Sequence, residues 1–277
     1  MGLRIATNIA SQTVQKNLKD VSSAGNSELE RLSSGKRITK AADDAAGLAI
    51  ATNLEAQTRG LRQATRNAND GVSLVQTAEG GLNETSNILV RLRELTIQAS
   101  SDTVGEHERG FLDKEYQQLM KEVDRISDST TFNGTNLLNG QGKGSMDFQV
   151  GAFAGEQNKI TFDSSETNSS SDSIGISGSG ITSKEDALDS ISRVDSAIEK
   201  VSGQRANLGS IQSRLASTVK NLEVQTINQD SARSVIQDVD VAEASAKLAS
   251  NQVVKNAAVS TLSQANAIPN SALRLIS

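Results

Sequence analysis

Few residues of this 277-residue chain have the types and spacing that catalysis or metal binding requires. The single histidine, His107, lies in the polar turn GEHERG, and no second histidine or cysteine exists to complete a metal site. We interpret His107 as a solvated loop residue rather than a metal ligand or general base. The HExxH motif of zinc proteases is also missing from the sequence.

Two further motifs resemble catalytic or nucleotide-binding sites but lack the required spacing. Asp43 and Asp44 are adjacent, so on a helix they would point about 100° apart, and we interpret them as interface or capping charges. GQGKGS at residues 140–145 resembles a phosphate-binding loop, but Gly144 follows Lys143 where a hydroxyl residue is needed. A turn leading into a hairpin explains it better. We therefore expect no enzyme activity, no cofactor and no metal.

The composition favours long helices over a globular core. Aromatic residues make up 2% of the chain and all lie between residues 111 and 162, so both terminal stretches must pack through Ala, Val, Leu and Ile. A single proline leaves most of the chain free of helix breakers.

The charge pattern and the hydropathy argue against nucleic acid and membrane as partners. The net charge is −5 with both signs mixed along the chain, so we expect no nucleic-acid binding. No apolar run is long enough to span a bilayer, and the first residues lack the apolar core of a Sec signal. We expect no membrane insertion. The lack of cysteine suits a chain that crosses between redox compartments.

Helical periodicity dominates residues 1–128. Apolar residues recur at three- and four-residue steps from Val75 to Ala99, and the pattern resumes at Leu112 after a break at about 100–106. This predicts two antiparallel helices joined by a short polar loop.

The second half carries a heptad that calls for a partner helix. Its residues, which we predict to form a core or subunit interface, are Val194, Val201, Leu208, Leu215 and Leu222. One helix over residues 185–226 would run roughly 60 Å at about 1.5 Å per residue, too long for a compact domain. The molecule is therefore predicted to be a rod.

The stretch between these helices changes character. Met146, Phe148 and Val150 alternate with polar residues, as do Ile160 and Phe162, which predicts a β-hairpin at about 145–163. Residues 164–183 are almost all Ser, Gly, Asp and Thr, and we expect a surface loop that buries too little to offset its ordering entropy.

The two chain ends have weak apolar stripes. Residues 1–33 carry scattered Ile, Val and Leu, and a stripe of small residues near the other end includes Ala246, Val253 and Ala257. Such helices bury little area each, so we expect them to order only against each other or against neighbouring molecules. These three residues are further candidates for a subunit interface.

Four long motifs stand in the order in which one known family carries them. Residues 31–84 read RLSSGKRITKAADDAAGLAIATNLEAQTRGLRQATRNANDGVSLVQTAEGGLNE, followed by FNGTNLLNG, FQVGAFAGE and the run VAEASAKLASNQVVKNAAVSTLSQANAIPNSALRLIS. They resemble the corresponding motifs of bacterial flagellins, the subunits that polymerise into the helical filament of the flagellum. Residues 164–184 stand where many flagellins carry bulky outer domains.

The resemblance implies a mainly α fold: a hairpin-shaped rod of long paired helices, coiled-coil-like, with a small β-hairpin region. It also implies a division into domains. The predicted parts are an inner terminal-helix domain lining the filament channel (1–42 plus 234–277), a rod domain (43–163 plus 184–233), and a short surface loop in place of the outer domains (164–183).

The resemblance further implies a secreted, extracellular, motility-related protein that is exported unfolded through the flagellar secretion channel. Its implied partners are other copies of itself, a flagellar secretion chaperone, the export apparatus, and the hook-associated and cap proteins. Vertebrate Toll-like receptor 5 recognises some flagellins on a helix motif resembling LVRLRELTI at residues 89–97. Carried over by position, the receptor contacts are Arg91, Leu95 and Glu122, with Arg91 and Leu95 expected to share an outward face.

Two alternatives remain open at this stage. A hook–filament junction protein resembles flagellin at both termini, although the close match over residues 31–84 favours flagellin. A cytoplasmic coiled-coil adaptor would form a soluble oligomer of few copies, and sedimentation of self-assembled fibres would distinguish it from a filament subunit.

Overall fold

The computed structural model describes residues 7–276, with side chains up to residue 268, and most of this range is helical. Residues 1–6 and Ser277, which belong to the predicted terminal domain, lie outside the described residues. Within the described range the elements are α1 (Ile9–Ser34), α2 (Ala45–Ser100), α3 (Glu106–Ser129), β1 (Thr131–Phe132), β2 (Thr135–Asn136), β3 (Ser145–Gln149), β4 (Lys159–Asp163), α4 (Ser171–Ile174), α5 (Lys184–Gln237) and α6 (Val241–Ile276). The prediction of a mainly α fold with long helices and a small β-hairpin is confirmed.

The chain divides into two compact units. One consists of residues 1–56 and 228–277, and the other of residues 57–227. Helices α2 and α5 each contribute to both units, because the divisions fall within them.

The first unit is built on the pairing of α1 with α6. Helix α1 begins where the side chain of Asn8 accepts a hydrogen bond from the backbone N–H of Ser11 (3.0 Å). It ends at Gly35, whose φ of 69° is the left-handed conformation that glycine adopts without a Cβ penalty. Helix α6 begins at the cap formed by Asp240, whose carboxylate accepts from the N–H of Ala242 (2.9 Å).

In the connection between α1 and α2, Asp44 has the predicted capping role, whereas Asp43 binds backbone groups of the loop that precedes it. The Asp43 carboxylate accepts hydrogen bonds from the backbone N–H groups of Thr39 and Lys40, each at 3.0 Å. The hydrogen bond from the Lys40 N–H is the largest of the interactions that lower the Asp43 pKa. Asp44 accepts from the N–H of Gly47 (2.8 Å) and so caps the start of α2.

The second unit has a continuous hydrophobic core. Helices α2, α3 and α5 supply most of it, and the hairpin β3–β4 packs against the same cluster. Its fully buried members include Leu82, Leu89, Leu92, Tyr116, Val123, Phe162, Val194 and Leu208. Because α2 faces two other helices here, it buries a wide arc of its surface rather than a narrow stripe.

The turn between α2 and α3, at the predicted break, is fixed by an arginine. The Arg109 guanidinium, 8% exposed, donates through Nε to the carbonyl of Ala99 (2.8 Å) and through Nη2 to that of Ser101 (3.1 Å). These carbonyls belong to the end of α2, where the helix itself offers no donors. A cation at a helix C-terminus also interacts favourably with the helix dipole.

The hairpin β3–β4 has the register that the alternating pattern indicates. Met146 pairs with Phe162, and Phe148 pairs with Ile160. The ring of Phe148 lies so close to Gly71 that a Cβ at that position would come within 3.2 Å of it. Glycine at this point of α2 lets the hairpin approach the helix backbone closely.

The serine-rich segment, residues 164–183, differs from the surface loop that its composition predicts. It contains the short helix α4, and its three isoleucines, Ile174, Ile176 and Ile181, are at most 1% exposed. The expectation that this segment buries too little to order itself is therefore wrong. Composition averages over the segment, whereas its few large side chains all point into the core.

Polar side chains of α3 hold the same segment in place. Asp124 accepts hydrogen bonds from the backbone N–H (2.8 Å) and the hydroxyl (2.9 Å) of Ser171. Asp113 accepts from the N–H of Ile181 (3.0 Å), and the Tyr116 hydroxyl is 2.8 Å from that of Ser179. Each anchor satisfies a polar group that burial would otherwise leave unpaired.

Tyr116 makes the folding of this region sensitive to alkaline pH. Burial raises the pKa of its phenol, partly offset by the hydrogen bond with Ser179. A pKa raised by folding adds stability below the unfolded value of about 10, and this stability is lost as pH rises through the folded value. Tyr116 is the only tyrosine and the chain has no tryptophan, so its tyrosinate absorbance can be followed alone.

We expect the titration midpoint of Tyr116 to fall on denaturation, and Tyr116→Phe to weaken the alkaline loss of stability. Equal midpoints in the folded and denatured protein would contradict this.

Candidate functional site

The heptad residues of α5 lie in the core of the chain. Val194, Val201, Leu208, Leu215 and Leu222 are all at most 4% exposed. The first four belong to the large core cluster, whereas Leu222 packs in a smaller one with Leu61 and Ala64. Their burial within one molecule leaves them little surface to offer to a second copy.

The candidates on α6 lie on the opposite side of the helix from α1. Ala246 and Ala257 are exposed, and the Val253 side chain is 68% exposed. The residues of α6 that are buried or half-buried follow a different heptad stripe, namely Ala244, Leu248, Asn251, Ala258, Leu262 and Ala265. Ala246, Val253 and Ala257 are therefore free to contact another molecule, and their role in a subunit interface stays a prediction.

The contact between α1 and α6 is more polar than the sequence pattern suggested. The Asn8 side-chain amide donates to the carbonyl of Ala265 (2.9 Å), and the Ser11 hydroxyl donates to the side-chain oxygen of Asn266 (2.8 Å). Glu28, 9% exposed, is paired with Arg31 at 3.0 Å. Apolar periodicity in the sequence does not reveal these residues, because their side chains are polar.

Arg91 lies at the surface between α2 and α3, as expected. Its guanidinium pairs with Glu115 of α3 and with Glu94 of its own helix, each at 2.9 Å. About half of the Arg91 side chain is exposed, so solvent screens both ion pairs.

Leu95 does not share an outward face with Arg91, and that prediction is wrong. Its side chain is 0% exposed and belongs to the core cluster with Leu92. At about 100° per residue Leu95 is only about 40° from Arg91, but the arc that α2 buries against two helices is wide enough to include it. The buried arc of α2 is therefore wider than Leu89 and Leu92 alone indicate.

Glu122 lies on α3 but is not the partner of Arg91. It pairs with Arg125 at 2.6 Å, and the hydrogen bond from that guanidinium is the main reason its pKa is lowered. The carboxylate that reaches Arg91 is Glu115, seven positions earlier on the helix. Arg91 and Glu122 are thus both accessible but belong to separate ion pairs.

The outer ridge of α2 carries two apolar residues that sequence analysis did not select. Val90 is 48% exposed and Ile97 is 47% exposed, and their seven-residue spacing places them on one face. Arg91 lies on one side of this ridge, and Arg93, which pairs with Asp195 of α5 at 2.6 Å, lies on the other. The sequence signal that could have identified Val90 and Ile97 is the presence of apolar residues on the otherwise polar face of α2.

The residues first considered for chemistry have structural roles. His107 is exposed as expected, but it lies in the first turn of α3 rather than in a loop. It contacts the ring of Phe111 edge-on at 4.8 Å between centroids. Gly140 and Gly144 adopt positive φ in the turn that leads to β3. Across the described part of the chain, no three His, Asp or Glu side chains are grouped so as to hold a metal ion. No helix between residues 7 and 276 is long and apolar enough to cross a membrane.

Long helices, a continuous core along α2, α3 and α5, and exposed apolar side chains on α6 are typical of helical structural proteins. The N-terminal part, residues 5–143, matches the family model described as the bacterial flagellin N-terminal helical region. Residues 191–276 match that of the bacterial flagellin C-terminal helical region. The chain belongs to the bacterial flagellin family, as its motifs indicated.

Known proteins support this assignment over nearly the full length. A flagellin of Halalkalibacterium halodurans is 39% identical over 269 residues, which cover 97% of this chain and 98% of the relative. A flagellin of Bacillus subtilis is 36% identical over 307 residues, covering 99% and 100%. The crystal structure of Bacillus cereus flagellin is 29% identical with a TM-score of 0.51, covering 57% of this chain and 88% of that one.

Family membership establishes the general function. The chain is a structural subunit of the flagellar filament and not an enzyme. It self-assembles with copies of itself, and the alternative of a hook–filament junction protein is not favoured.

Leu95 and Ile97 provide a matched pair for testing which face of α2 is core. We expect Leu95→Ala to lower the free energy of unfolding by about 2 to 5 kcal/mol, because it leaves a cavity. Ile97→Ala should cost less than about 1 kcal/mol, since the side chain is half exposed. Urea unfolding followed by Tyr116 fluorescence measures both. Equal losses would show that Leu95 is not a core residue.

Proposed function

We propose that this flagellin family member works as a secreted, extracellular subunit whose terminal helices make contacts between copies in the filament. The observation that carries this proposal is the exposure of several apolar side chains on α6. Val253 and Val259 on this helix are 68% and 51% exposed in the single chain.

Exposed aliphatic side chains on a helix pair favour association. Two helices packed alone cover only one stripe of each, and each Å² of apolar surface removed from water contributes about 25 cal/mol. Heterologous contacts that do not close into a ring generate open helical polymers. A filament is the expected product if the α1–α6 pair contacts different surfaces on successive copies.

We assign different roles in the filament to the two domains. Residues 1–42 with 234–277 would form the inner domain that lines the filament channel, and residues 43–163 with 184–233 the rod domain outside it. The large core of the second unit supports an independently stable rod, whereas the α1–α6 contact has no comparable cluster among its described residues.

We further propose export in an unfolded state through the flagellar secretion channel. A chain without cysteine has no disulfide to hinder unfolding and threading. Because both ends are prone to association, a secretion chaperone would cover the C-terminal segment before export. Beyond the export apparatus, the proposed partners at the filament ends are the hook-associated and cap proteins.

Truncations test the role of the ends. We expect deletion of residues 1–33 or of 240–277 to leave residues 57–227 folded but to abolish polymerisation, because the proposed contacts are lost. In a flagellated cell, the chain lacking 1–33 should also remain inside, since we assign the export signal to that segment. Electron microscopy and fractionation of cells and medium measure the two effects. Filaments of normal appearance from either truncation would refute the proposal.

Recognition by Toll-like receptor 5 is a further proposal for the surface of α2 and α3. Arg91 and Glu122 are accessible there, and exposed arginines are enriched among the energetically important residues of protein interfaces. Leu95 is buried, so in this proposal it supports the helix on which Arg91 is presented and does not contact the receptor.

We expect the monomer to activate this receptor and the filament to do so poorly, because neighbouring copies would cover the same surface. Arg91→Ala should weaken the response at least about tenfold, equivalent to about 1.4 kcal/mol. Arg214→Ala, at an exposed position of α5, is the matched control. A cell reporter assay measures both. A folded monomer that fails to signal at concentrations where a known agonist flagellin saturates would rule the proposal out.

A further inference from the structure

A groove runs between α1 and α6 at the level of Gly25. Its volume is about 220 Å³. The polar residues Ser22, Asn26, Asn251, Gln252 and Lys255 line it together with Val21, Gly25, Leu29 and Leu248. Leu29 is 58% exposed at its edge. A cavity of about 150 Å³ with apolar walls can hold a benzene molecule, so this groove is large enough for an aliphatic side chain.

Gly25 creates the space, although the pairing of α1 and α6 does not require a glycine there. A Cβ at this position would meet only the Cβ of Asn251, at 3.9 Å, which is an ordinary contact. Glycine inside a helix is less favourable than alanine. The helix thus carries a less favourable residue at a position where alanine would fit, and this leaves the groove open to a second molecule.

The outer face of α6 offers a side chain of suitable size. Val253 is 68% exposed and lies in the uncharged run LASNQVV at residues 248–254. The groove is nearly neutral as well, since Lys255 is the one charged residue that lines it. An aliphatic side chain can enter this groove with a single charged residue, Lys255, beside it, so few charges have to be desolvated.

We propose that the Gly25 groove of one copy receives Val253 of a second copy. This inference rests on the proposed function, because it names the contact through which the terminal helices would assemble. The groove and the valine lie on different faces of one molecule, so each copy both gives and receives a side chain. Such a heterologous contact propagates along a polymer rather than ending in a dimer. A second copy fits better than another partner, because the chain carries both complementary surfaces and self-assembles.

Disulfide cross-linking between two separately prepared variants tests the contact directly. The chain has no cysteine, so Gly25→Cys and Val253→Cys copies each carry one thiol. After copolymerisation and mild oxidation, we expect mixed Gly25→Cys/Val253→Cys dimers to exceed either homodimer at least about tenfold, because a disulfide requires Cα atoms about 4.4 to 6.8 Å apart. Mixed dimers no more frequent than homodimers would overturn the inference.

The critical concentration for polymerisation provides a second measurement. We expect Gly25→Ala and Val253→Ala each to raise it at least about fivefold, and the double variant to raise it little further, because both remove one contact. Gly80→Ala, at an open and exposed helix position of α2, is the control and should leave it unchanged. Circular dichroism verifies that each variant keeps its helices. If Gly25→Ala loses helix, the cross-linking experiment alone tests the contact.

The outcomes separate this inference from the proposed function. If the unmodified chain forms filaments and Gly25→Ala behaves like Gly80→Ala, the groove is not the contact but assembly through the ends stands. If the double variant raised the critical concentration by the product of the two single effects, the pairing of Gly25 with Val253 would likewise be overturned. If the unmodified chain forms no filaments, the proposed function itself fails.

Discussion

The number of helices that each helix packs against within the chain determines how much of its apolar surface is buried. In residues 57–227, α2 shares one hydrophobic cluster with α3, α5 and the β3–β4 hairpin, and large side chains are fully buried. In the other unit the described residues of α1 pack mainly against α6, and Val241, Val253 and Val259 on α6 remain more than half exposed. Apolar surface that one molecule cannot cover is available to another, which is the physical requirement for a subunit that polymerises.

The sequence was most informative where a single period determined the structure. The heptad from Val194 to Leu222 and the alternation of Ile160 and Phe162 correspond to buried positions, because packing selects large apolar side chains at regular steps. The break before Leu112 also coincides with the end of α2 and the start of α3. The family could be recognised because its motifs are long, although periodicity alone would have indicated only paired helices.

The sequence was least informative where burial depends on a neighbour that is distant in the chain. Leu95 is buried because α2 meets two helices, and one helical stripe cannot reveal the second. Ile176 is buried in a segment whose composition is that of a loop. Arg109, in a short polar stretch of sequence, is buried because its guanidinium binds the carbonyl of Ala99 at the end of α2. In each case the three-dimensional partner, rather than the residue type, determines the environment.

The pairing of α1 with α6 also has a consequence for the order of folding. The hydrogen bond from Asn8 to Ala265 joins residues 257 positions apart, whereas Arg91 and Glu115 are separated by 24. Closing so long a loop costs more entropy and lowers the folding rate, unless the intervening chain has already become compact. The ends should therefore meet last, after residues 57–227 have collapsed. Until then, each end is kinetically available to whichever molecule reaches it first.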